Sequence, residues 1–195
     1  DYKELIENDY YNVDKTLFIQ EILKSKALVR LITRPRRFGK TINMSMLEKF
    51  LDIHKAAENE HLFKDKLIWK CEESRKHFGK YPVIFISFKG IKDDNWEEAH
   101  EGLVKLIAKE FFKHRFLLES ESIHDIQKDE FNRLMSGKAS TTEIGESLQF
   151  LTEILTTHHG QRAILLIDEY DTPINTSYTL GYYDKAVSFL KKMLH

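Results

Sequence analysis

The chain has 195 residues, 42% of them apolar and 12% aromatic, which is enough to bury a core. Charged residues make up 31%, but acids and bases nearly cancel at a net charge of -1, so overall charge gives no footprint for nucleic acid. The single cysteine, Cys71, excludes an internal disulfide and a cysteine-based zinc site and suggests a reducing, cytoplasmic setting, and no apolar run is long enough to span a bilayer.

The opening, DYKELIENDYY, is acidic and aromatic and does not resemble a signal peptide. The chain starts without methionine and stops inside a helical pattern, FLKKMLH, so the expectation is the N-terminal portion of a longer protein. Three prolines and eight glycines leave most of it for regular structure, and the absence of repeats or linkers predicts one domain over residues 1–195. Asp14 to Ser25 reads as a helix that Asp14 can cap, with Leu17, Phe18, Ile22 and Leu23 as its stripe. Ala27 to Thr33 reads as a short buried strand. After the loop RPRRFG, Lys40 to His54 is helical, with Ile42, Met46, Leu47, Phe50 and Leu51 at helical spacing. His61 to His77 is also predicted helical. Val83 to Phe88 is a second buried strand, and Trp96 to Phe116 and Asp125 to Met135 are helices. Ser140 and Glu143 have capping-box spacing ahead of a helix that Gly160 ends, Ala163 to Ile167 is a third strand, and a last helix starts near Tyr183. Unalternating apolar strands separated by helices predict an α/β fold of three layers around a mainly parallel sheet, with ligands beyond the C-terminal strand ends.

Between the first strand and the next helix lies RPRRFGKT, Arg34 to Thr41. A helix start has backbone N–H groups outside the helical ladder and positive partial charge. Gly39 lets a phosphate approach the backbone, Lys40 can reach β- and γ-phosphates, and the Thr41 hydroxyl can bind Mg²⁺. Arg34 stands where glycine is usual in such loops, and Pro35 holds it extended. Arg34, Arg36 and Arg37 form a local basic patch that can add phosphate contacts or simply be solvated. The candidate nucleotide contacts are Arg36, Arg37, Phe38, Gly39, Lys40, Thr41 and Ile42.

The third strand ends in two carboxylates, AILLIDEYD. Asp168 there suits a magnesium water shell, and Glu169 suits polarising an attacking water. Adjacent residues at a strand end point differently, so the two can do different work. Asp171 either assists the metal or starts a turn, with the turn preferred. The aromatics of YYNVDKT, Tyr10 to Thr16, can stack on a base, but packing is the commoner use. His158 and His159 suit the end of a helix and have no partner at metal spacing.

YYNVDKTLFI, LITRPRRFGKTINMSML, YPVIFISFKGI and ILLIDEYDTPI, in that order, resemble the bacterial predicted AAA-ATPase-like family of P-loop NTPases, over Tyr10 to Ile174. Its members often carry a PD-(D/E)XK nuclease-like domain downstream, and the first loop position resembles Arg in this family. The resemblance implies ATP and Mg²⁺ as cofactors, a Walker A loop at Lys40 and Thr41, and a Walker B pair at Asp168 and Glu169. It further implies hydrolysis coupled to an attached effector domain or protein partner, nucleic acid only through a missing domain, no membrane, and compatibility with an oligomer. Such folds place a further, sensor-bearing strand between the two motif strands. None is visible here, so the sheet is expected to stop after the Walker B strand. A non-catalytic nucleotide-binding or interaction module is therefore the alternative. A small-molecule kinase is a third, which Asp-Glu after the strand argues against.

Overall fold

A computed structural model describes residues 1–25, 27–33 and 38–194. They gather into two compact units, Asp1–Val83 and Ile84–His195.

The first unit is helical. Helix α1 is Tyr2–Glu7, α2 is Leu17–Lys24 and α3 is Lys40–Leu51. Helix α3 is the scaffold: Met46, Leu47, Phe50 and Leu51 are buried as their spacing predicts. Phe50 packs edge-on against Phe63 and Phe78, and Tyr2 stacks on Phe63. The Tyr2 N–H donates to Ser45 Oγ at 3.1 Å, which ties α1 to α3. Helix α2 starts three residues later than expected and buries Ile19, whereas Leu17 is exposed. The reason is Asp14. Its Oδ1 accepts from the Thr16 N–H and hydroxyl at 2.8 and 2.7 Å, and its Oδ2 accepts from the Leu67 N–H at 2.8 Å. The carboxylate is spent on a turn and a long-range tether instead of a helix cap.

Two expected elements fail here. Residues 27–33 form no strand, and Leu28, Val29 and Leu31 are 91%, 87% and 65% exposed. A strand needs a pairing partner, and the described residues supply none to this run. The span from His61 to His77 is not one helix. It breaks into a 3₁₀ turn at Leu67–Lys70 and short α5, Glu72–Arg75, after α4 at Ala56–Asn59. Its buried residues Leu62, Phe63, Ile68 and Ser74 do not recur at helical spacing, so no single face could hold them.

Strand β1, Val83–Ser87, which lies in the second unit from Ile84 on, pairs with β2, Ile164–Asp168, as a two-stranded parallel sheet. Between them run α6, Trp96–Lys113, α7, Asp125–Met135, and α8, Thr141–His159, the crossover that a parallel pair requires. The fold is therefore α/β but mostly helical, and among the described residues its sheet has two strands where three layers around a larger sheet were expected. Ile84, Ile86, Leu103, Ile107, Phe111, Leu148, Leu151 and Leu155 belong to one core cluster. The β1 backbone also finds a side-chain acceptor: the Phe85 N–H donates to buried Glu110 Oε1 at 3.3 Å. Burial raises the Glu110 pKa, but hydrogen bonding and charge from His114 and Lys113 outweigh it and hold the carboxyl below its ordinary value.

The capping box is present: the Ser140 N–H donates to Glu143 Oε2 at 2.7 Å and the Glu143 N–H to Ser140 Oγ at 3.2 Å. Gly160 closes α8 at φ 62°. Beyond β2 comes α9, Asp171–Leu180, and then α10, Tyr183–Met193. Asp171 therefore opens a helix instead of an isolated turn, with Pro173 tolerated in the first turn because its missing N–H costs nothing there.

Candidate functional site

Lys40 is the first residue of α3 and Gly39 its N-cap, at φ 76° and ψ 23°. That left-handed conformation disfavours any side chain. A Cβ built at Gly39 meets nothing within 4 Å, so the glycine faces open space. The N-cap glycine has no side chain with which to cap the helix, whose first bond runs from the Asn43 N–H to the Gly39 carbonyl at 2.9 Å. The first turn carries the positive end of a twelve-residue helix, which favours an anion. Phe38 and Thr41 are exposed and Lys40 is half-buried. Arg34, Pro35, Arg36 and Arg37 lie outside the described residues.

A cavity of about 220 Å³ opens beside this helix start. Gly39, Ile42, Asn43 and Met46 form one wall, and residues 11–15 form another. Tyr10 and Tyr11 are exposed, so packing is not what occupies this aromatic pair. Sequence reasoning missed Asn43, and for the aromatics of Tyr10 to Thr16 it preferred packing over stacking on a base. What holds the 11–15 stretch in place is the Asp14 tether to Leu67, 53 residues away.

In the second unit, Asp168 is the last residue of β2 and is buried. Glu169 follows at φ 52°, a left-handed conformation that is uncommon outside glycine. Its Oε2 accepts from the Thr172 hydroxyl at 3.1 Å, and its carbonyl accepts from the Thr172 N–H at 3.0 Å. The sharp bend at Glu169 turns the chain from β2 into α9. Backbone strain of this kind persists where the surroundings over-determine it, often at sites of function. Lys40 and Thr41 thus belong to the first unit, and Asp168 and Glu169 to the second. Among the described residues no three His, Cys, Asp or Glu side chains cluster so as to hold a metal, and no helix is long and apolar enough to cross a membrane.

Residues 1–195 match the family model described as Predicted AAA-ATPase. A protein of Azotobacter chroococcum mcd 1, described as an uncharacterized protein in the vnfD 5′ region, is 28% identical over 171 residues. The match covers 86% of this chain and 27% of that relative's length. No solved structure matches the chain.

Proposed function

The chain belongs to the predicted AAA-ATPase family, and from that premise we propose that it binds ATP with magnesium and hydrolyses it to drive an attached domain or a protein partner. The observation that carries this reading is Gly39: a left-handed glycine with open space above it, at the start of a long helix. A phosphate group fits that cradle, since a Cβ would intrude where it must approach.

Lys40 would set its ammonium against the β- and γ-phosphates. The Thr41 hydroxyl and, through water, the Asp168 carboxylate would hold the magnesium ion. These few hard oxygen donors fit an ion that keeps phosphate and water as its main ligands. When bound, magnesium neutralises charge across the phosphates. The Glu169 carboxylate would orient and deprotonate the attacking water, and the Thr172 hydroxyl bond limits its rotation. Support for joining the two motifs in one reaction is their order in the chain and the family they mark. Support for an effector is that the matched relative extends well beyond the region of similarity.

Measuring ATP affinity and turnover together tests the assignment. Glu169→Gln should leave affinity intact and lower turnover by about 10²–10⁴-fold, the usual worth of general base catalysis. Undiminished turnover in that variant would remove Glu169 from the mechanism. Wild-type binding without turnover would leave a non-catalytic nucleotide-binding module.

A further inference from the structure

We propose that the cavity between residues 11–15 and α3 holds the base-and-sugar end of the nucleotide, an inference that rests on the phosphate-binding reading above. Gly39, Ile42, Asn43 and Met46 stand at i, i+3, i+4 and i+7, so they line a single face of α3. This face begins at the glycine assigned to the phosphates and runs roughly 10 Å along the helix at its 1.5 Å rise per residue. A ligand anchored at the helix start by its anionic end has its remainder beside this wall. The cavity, about 220 Å³, is smaller than the roughly 300–1,000 Å³ of sites that enclose a whole drug-sized ligand, and suits one part of a molecule.

Its lining suits a flat, partly polar ring. Ile42, Met46 and Val13 supply apolar walls, and Tyr11 a ring able to stack. Asn43 supplies the polar group. It is only 5% exposed and lines the cavity, yet its side-chain amide makes none of the hydrogen bonds found among the described residues. Lining the cavity, that amide can both donate to and accept from a base edge. Tyr11 is 95% exposed and Val13 63% exposed, so neither is held by the core. The Asp14 carboxylate pins the end of their segment through Thr16 and Leu67. Exposed aromatic and aliphatic side chains, held by a long-range tether beside a phosphate-binding helix, are placed as a base clamp.

The test compares ATP with inorganic tripolyphosphate, both with magnesium, on the full-length protein. Tyr11→Ala removes the ring, and Val13→Trp fills the cavity. Both positions are exposed, so the variants should fold, which circular dichroism checks. The expected result is ATP affinity weakened about tenfold or more in each variant, the scale of one base stack, with tripolyphosphate affinity unchanged. ATP affinity equal to wild type in both variants would overturn the base clamp and leave the phosphate site standing. Failure of the wild-type protein to bind either ligand would overturn the phosphate site and the clamp with it.

Discussion

Glu169 and Gly39 both sit in the left-handed region, at φ 52° and φ 76°, but only one of them is glycine. Gly39 satisfies its backbone at no steric cost, whereas Glu169 holds a side chain where L-residues pay about 1–2 kcal/mol. That cost makes sense if the carboxylate is needed at the strand end. Glu169→Gly should therefore raise stability to urea unfolding, by ~1 kcal/mol or less because the Thr172 hydroxyl bond and some chain entropy are lost, while abolishing turnover. A fall in stability would show that the bend is held by the glutamate side chain itself. Gly39, Lys40 and the Asp168–Glu169 pair stood out as candidates in the sequence, because phosphate chemistry favours those residue types in that order. The sequence could not display the bend at Glu169, which is a property of the backbone.

Among the elements, those with local punctuation were legible. Helix α7 has the predicted ends, and α8 begins at the Ser140–Glu143 box and stops at Gly160. The Glu143 carboxyl is pulled down to about 2, first by the Ser140 N–H, then by the Arg133 guanidinium and the Ser140 hydroxyl. Its folded pKa lies below the ordinary 4.5, so its stabilisation is complete above about pH 4.5 and is lost as pH falls towards 2. Glu143→Gln should flatten that part of an acid-unfolding curve; an unchanged slope would show that the box contributes nothing to pH dependence. Strands β1 and β2 were legible from their apolar runs, but two other stretches whose fate depends on distant partners were not. The apolar run 27–33 has the composition of a buried strand but no pairing partner among the described residues. The segment 11–15 takes its position from a hydrogen bond to Leu67, which no local pattern announces.

At the scale of the whole molecule, the two motifs fall in separate compact units, helix α3 with Lys40 and Thr41 in the first and the carboxylates in the second. The sequence predicted an α/β chain with both motifs, and the chain is α/β with a small parallel sheet. It overestimated the sheet, because the apolar run 27–33 was counted as a strand before its partner was known. The account stands on the start of α3 as a triphosphate site, and calorimetric titration of ATP with magnesium into wild type and Lys40→Ala tests it most directly. Loss of a charged partner of the phosphates should cost about 2 kcal/mol or more, roughly thirtyfold in affinity. Equal affinity in the two proteins would contradict it.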